Sequence, residues 1–217
     1  MSYQTEEQQV EQLKEWWKDN GTPLIVGAVL GLSGFFGWKF WNEKQIATQE
    51  AASDLYVAVS EQIGKEDTAK LAENATKVKN NFPESSYAIL SAFHLAKLAV
   101  EDNQLDKAVT ELTWVIDKHA TNELVHIAKI RLARILVAQQ KSEQALPLLA
   151  FANDSGYFEI ASLIKGDAFM ALDRKTEALE AYKAADTAGK VTANHPTLKI
   201  MIEELTASEL TFNEAQE

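Results

Sequence analysis

The chain has no cysteine, which excludes disulfide staples and thiolate-bound metal. Only four prolines occur, and Ala, Leu, Glu, Lys and Gln dominate the chain, a composition of helix formers. Positive charge is in deficit: 21 Lys and Arg against 32 Asp and Glu, a net charge of -11 at pH 7. Nucleic-acid binding needs clustered cations, so no nucleic-acid partner is expected. Surface adhesion to anionic lipid is disfavoured for the same reason. The four histidines, His94, His119, His126 and His195, are scattered. No two stand three to five residues apart, as ligands on one helical face would. There is no phosphate-cradling glycine loop, no serine in a nucleophile elbow and no thiol nucleophile. The expectation is a protein without cofactor, metal or catalytic residues, and not an enzyme.

One long apolar run is present. Asn20 to Trp38 carries no charged residue, and at about 1.5 Å per residue it nearly spans a ~30 Å hydrocarbon layer. Five glycines lie in it (Gly21, Gly27, Gly31, Gly34, Gly37), an unusual number for a buried core helix. Trp16 and Trp17 precede the run, and Trp38 and Trp41 close it. Four of the five tryptophans thus sit where an aromatic belt forms. A cleaved signal peptide would need a basic start and a small-residue cleavage site, and neither is present. The pattern predicts a retained transmembrane helix over 21–41, opened by a Thr22 cap and Pro23 at the first helical position. Gly27 with Gly31, and Ser33 with Gly37, form small-xxx-small pairs on which another helix would pack closely. Lys14 and Lys18 on one side balance Lys39 and Lys44 on the other, so charge does not set the orientation. Within the short N-terminal segment 1–20, Glu6–Asp19 places Val10, Leu13, Trp16 and Trp17 on one helical face, as in an interfacial helix or a frayed tail.

From Ile46 onward the pattern is helical, with breaks at Gly64, Asn80–Pro83, Asp102–Asn103, Asn153–Gly156, Gly189 and Asn194–Pro196. No alternating β-branched run predicts a strand. Three stretches align, beginning at Ala96, Ala133 and Gly166, offset by 37 and then 33 residues. In each, a small residue is followed at +12 by Ala108, Ala145 or Ala178 and at +16 by Leu112, Leu149 or Tyr182. Val115, Ala152 or Ala185 follows at +19. A small residue lets the second helix cross closely, the alanine faces it, and the bulky side chain fills the space between. This spacing resembles the tetratricopeptide repeat, whose period is about 34 residues. The early tryptophan of that repeat is replaced by Ala92, Lys129 and Ser162, and Pro147 should kink a second helix. The fold class expected is all-α: a single N-terminal transmembrane helix, then a tetratricopeptide-repeat-like superhelix over 42–207 and an acidic tail over 208–217.

In such folds the inner face is lined by first-helix positions at −6, −3, +1 and +4 from the small residue. Those are Leu90, Phe93, Lys97 and Val100; Ile127, Ile130, Arg134 and Val137; and Ile160, Leu163, Asp167 and Met170. This face is apolar enough to expect a partner groove. The alternative is that a last helix, Pro196–Thr206, folds back over part of it as a terminal cap.

The acidic N-terminus ending in Glu15-Trp16-Trp17-Lys18, the Asn20-Gly21 break, the glycine-rich run and the degenerate repeats resemble, in that order, the YfgM family, the ancillary subunit of the SecYEG translocon. The resemblance covers nearly the full chain. It implies a single-pass inner-membrane protein with a cytoplasmic N-terminus and a periplasmic C-terminal domain. It also implies association with SecYEG, with the membrane-anchored chaperone PpiD and with exported client proteins, beside membrane lipid. A structural scaffold for an envelope complex unrelated to secretion is the other function that these features accommodate.

Overall fold

A computed structural model describes residues 6–186 and 196–214, and all regular structure among them is helical. The chain divides into two compact units, Met1–Ala51 and Ala52–Glu217.

The described part of the first unit lies within helix α1, Glu6–Ser60. The sequence predicts a helix start at Thr22-Pro23, yet the helix begins sixteen residues earlier and runs through Pro23. Glu, Gln, Leu and Lys before the run are strong helix formers. Pro23 removes one backbone donor. The Asn20 amide donates to the Trp16 carbonyl at 3.0 Å, a side-chain bond one turn before the proline. The Trp17 indole lies against Gly21, where a Cβ would sit 3.2 Å from the ring. Leu24, Ile25, Val29, Leu30, Phe35 and Phe36 are all exposed. The run is apolar on every side of the helix, and the helix is long and apolar enough to cross a membrane.

The second unit opens with the end of α1 and then α2 (Thr68–Asn81). Gly64, at φ +79°, turns the chain between them. Asp67 caps α2 by accepting from the Lys70 amide at 3.0 Å. Val59 of α1 packs with Leu71, Ala75 and Val78 of α2. Three helix pairs follow. The first is α3 (Ser86–Glu101) with α4 (Leu105–Lys118). The second is α5 (Leu124–Ala138) with α6 (Ser142–Ala145), continued by a 3-10 turn over Leu146–Leu149. The third is α7 (Phe158–Ala171) with α8 (Lys175–Ala185). The last helix, α9, spans Pro196–Glu214.

The repeat reading is visible in the packing. Ala108, Ala145 and Ala178 are fully buried, and Leu112, Leu149 and Tyr182 nearly so. A Cβ at Gly166 would overlap the Tyr182 ring, so only glycine fits beneath that side chain. The backbone repeats as well. Asn103, Gln140 and Asp173 each adopt positive φ (57°, 61° and 56°), with the same 37- and 33-residue offsets. Each turn is closed by a six-residue bond: Gln104 N to Ala99 O at 2.7 Å, Lys141 N to Leu136 O at 2.8 Å, and Arg174 N to Phe169 O at 2.9 Å. This is a left-handed helix cap reused three times.

Three features differ from expectation. Pro147 does not kink a long helix; it shortens α6 to one turn, because its ring forbids the bond that would continue it. Ala152, the +19 residue of that repeat, is consequently exposed. Helix α9 runs past Thr206 to Glu214, through part of the expected acidic tail, since Ala207, Glu209 and Leu210 favour helix and no Gly or Pro stops it. The breaks at Gly189 and Asn194–His195 lie outside the described residues.

Candidate functional site: an apolar groove with a cationic mouth

Helix α3 is fixed by Ser85, whose hydroxyl accepts from the Ala88 amide at 3.2 Å. Its buried stripe, Ala88, Ile89, Ala92, Ala96 and Ala99, is mostly alanine. Small residues bring α4 and α5 close and leave the longer side chains at the stripe's edge facing a cavity. That cavity, between α3 and α5, has a volume of about 550 Å³. Phe93, Ala96, Leu112 and Ile135 line it from the buried side; Lys97, Val100, Arg131 and Arg134 are its exposed members. Leu90 and His94 are half-buried at its wall.

The electrostatics are one-sided. The Arg131 guanidinium stacks 4.6 Å from the Phe93 ring centroid. Its pKa is pushed down by partial burial and then by neighbouring Arg134. His94 is likewise held below the ordinary imidazole range, first by burial and then by Lys97 and Arg131. The His94 Nε2 lies 3.2 Å from the Tyr56 hydroxyl, within hydrogen-bond distance. Lys97 has a loose, exposed partner in Glu101 at 3.6 Å.

Five of the twelve expected inner-face residues meet in this cavity: Leu90, Phe93, Lys97, Val100 and Arg134. The others are placed elsewhere. Ile130 is buried in the core of the first two repeats, and Ile127, Val137 and Ile160 pack against that core. Leu163 and Met170 join a second core with Leu198 and Leu205 of α9. The last helix therefore packs with the third repeat. Asp167 accepts a 2.8 Å hydrogen bond from the Tyr182 hydroxyl, which fixes α8 against α7. Phe93 and Ile130 belong to one buried cluster, and Leu163 packs against the other, with Leu198 and Leu205 of α9. Sequence reasoning missed His94, Ala96, Leu112, Arg131 and Ile135. Arg131 was findable, since it stands one turn after Ile127. In the first unit, Gly27, Gly31 and Gly37 have open space around the missing Cβ, and Ser33 is exposed.

The arrangement can hold an apolar side chain and an anion together. Among the described residues no three His, Asp or Glu side chains converge as a metal site.

A tetratricopeptide repeat-like domain family matches residues 14–207. The chain is 31% identical to the ancillary SecYEG translocon subunit of Escherichia coli (strain K12), covering 84% of this chain and 87% of the relative. The protein of the same name from Haemophilus influenzae is 28% identical, covering 85% and 90%. That from Neisseria gonorrhoeae is 25% identical, covering 83% and 87%. No solved structure gives a significant match. The matched span takes in the apolar run of α1 as well as all three repeats, so the chain belongs to the tetratricopeptide repeat-like family of ancillary SecYEG translocon subunits.

Proposed function

We propose that the protein is a membrane-anchored interaction subunit that works beside the SecYEG translocon. In this reading α1 crosses the inner membrane with its N-terminus cytoplasmic, and the repeat domain stands in the periplasm. There the groove receives other proteins: a membrane-anchored chaperone of the PpiD kind and chains emerging from the channel. The small-residue face at Gly27, Gly31, Ser33 and Gly37 serves contact with another membrane helix.

The observation that carries the reading is the α3–α5 cavity, which is open among the described residues. Buried apolar residues at an open surface are the usual mark of a site that another protein completes. The relatives' name, ancillary SecYEG translocon subunit, supports a place beside that translocon.

The test is a photo-crosslinking residue at Val100, which is 43% exposed in the groove, in the full-length protein in its membrane. Crosslinks to translocon subunits, a chaperone and a range of exported chains are expected. Crosslinks to a single folded partner unrelated to export would instead establish a scaffold. The orientation is tested separately by alkaline phosphatase fused after Glu217, which is expected to be active; an inactive fusion reverses the topology.

A further inference from the structure

We propose that the groove selects segments in which an apolar side chain is flanked by carboxylates, so that it discriminates among protein partners by charge. The proposal deepens the partner-binding reading above and rests on it.

The chain is acidic overall, at -11, yet no acidic residue lines the groove, and Lys97, Arg131 and Arg134 do. Several cations elsewhere in the domain are paired with carboxylates. Lys79 pairs with Glu111 at 2.6 Å, Lys118 with Glu84 at 2.6 Å, and Arg174 with Glu143 and Glu177. Arg131 and Arg134 have no ion-pair partner among the described residues, and Lys97 only the loose exposed contact with Glu101. The two guanidiniums, one turn-step apart on α5, repel each other. An incoming carboxylate relieves that repulsion, and a guanidinium holds a carboxylate through two parallel hydrogen bonds. Beneath them, Phe93, Leu112 and Ile135 offer an apolar floor that desolvates an inserted side chain and strengthens the charge contact at its edge. Arg131 is already oriented by its stacking on Phe93, so less of its rotamer freedom is lost on binding.

An anionic lipid headgroup has the same charge as such a segment. The protein's own negative charge opposes approach to an anionic surface, whereas a single flexible segment can enter the groove without bringing a charged plane with it. A protein segment is therefore the favoured occupant.

The test uses the full-length protein in nonionic detergent and three fluorescein-labelled peptides: one alternating Leu/Phe with Glu, one with Lys in place of Glu, and one with Ser in place of Leu/Phe. Fluorescence anisotropy should show the Glu peptide binding at least about tenfold more tightly than the Lys peptide, with the preference shrinking as salt rises. The Ser peptide should bind more weakly than the Glu peptide. In the double variant Lys97→Glu, Arg134→Glu, both positions being exposed, the order of the Glu and Lys peptides should invert. Circular dichroism verifies that this variant is folded; Lys97→Gln, Arg134→Gln, which should abolish the preference without inverting it, serves if it is not. Equal binding of the Glu and Lys peptides, no binding of either, or a preference that survives charge reversal overturns the proposal. So does displacement of the Glu peptide by phosphatidylglycerol vesicles, which would reassign the groove to lipid, or self-association abolished by the same variants, which would reassign it to a second copy. Retained Val100 crosslinks to exported chains alongside any of these results would sink the charge selection alone and leave the partner-binding reading standing.

Discussion

Helix α1 ahead of Ala51 and the repeat domain beyond it use the same small and large apolar residues under opposite conditions. Along α1, Gly27, Gly31, Gly34 and Gly37 have nothing near the missing Cβ, and Leu30 and Phe36 are 68% and 61% exposed. In the domain, Gly166 is filled by Tyr182, and Ala108, Ala145 and Ala178 are fully buried. Apolar surface left in water costs roughly 25 cal/mol per Å², so a helix that exposes it on every side belongs in lipid. The domain satisfies the same rule internally, by matching small residues on one helix to bulky ones on the next. Glycine spacing alone therefore does not reveal which regime applies. The charges around it do: none falls within the α1 run, while Lys and Glu punctuate every repeat.

The comparison breaks most sharply if a charge enters the anchor. Leu30→Lys places an ammonium near the middle of the run, at a cost on the order of 2.5–3.5 kcal/mol for insertion. The expected outcome is a shift of the protein toward the carbonate-extractable fraction, with the domain's melting temperature unchanged. Full retention in the membrane would mean that the helix is not held by lipid at that depth.

Next in size is Gly166→Ala. The added methyl overlaps the Tyr182 ring, and overpacking of this kind costs about 1–3 kcal/mol. Thermal unfolding of the domain should drop clearly, while Gly31→Ala, with open space around it, should leave it where it was. If both variants melted like the parent, the contrast between filled and unfilled glycines would be lost.

The two regions were unequally legible. The anchor and the repeat register could be read because each leaves a pattern in the sequence: uncharged length in one, recurring small–Ala–bulky triplets in the other. The continuity of α1 through Pro23 was hidden, since Thr22-Pro23 is as good a helix start as it is a tolerated interruption. The groove was half legible. Periodicity found the face holding Phe93, Lys97 and Arg134, but burial at Ile130 and the cover over Leu163 and Met170 depend on long-range packing. The shortened α6 could be foreseen only as a kink at Pro147, because local sequence does not say where the chain goes once the helix stops. The left-handed turn residues were partly visible. Asn103 is a good turn residue, whereas Gln140 carries no such signal.

A pH effect should be confined to the domain. His94 and His119 are both held below the ordinary value of about 6.5, in each case chiefly by burial, with cations adding to it at His94. The unfolded chain then binds protons that the folded chain refuses. Their contribution is fully present above about pH 6.5 and declines as pH falls from there toward the folded values. The melting temperature of the domain should fall between about pH 7 and pH 5.5. Glu73, Glu84 and Glu177 are held below the ordinary carboxylate range, so their share is lost only at lower pH. His94→Gln with His119→Gln should flatten the profile in the upper window; a profile as steep as the parent's would assign it to other groups.

The smallest effect concerns the turn that the three repeats share and α1 lacks. Asn103, Gln140 and Asp173 hold the left-handed conformation at the end of α3, α5 and α7. Asn and Asp tolerate that region better than other side-chain-bearing residues, and glutamine has no such allowance. Gln140 is exposed, so little is lost with its side chain. Its backbone amide bonds to the Val137 carbonyl at 2.9 Å, and glycine keeps that bond. Gln140→Gly relieves the Cβ clash but adds freedom to the unfolded chain, and the balance should be a gain of about 0.5–1 kcal/mol. Asn103→Gly should gain less, because its strain is smaller at the start. Differential scanning calorimetry of the two variants should therefore place Gln140→Gly above Asn103→Gly, and both at or above the parent. The reverse order would mean that the turn at Gln140 is held by its side chain rather than by its backbone, and would separate the second repeat from its neighbours in a turn that all three share.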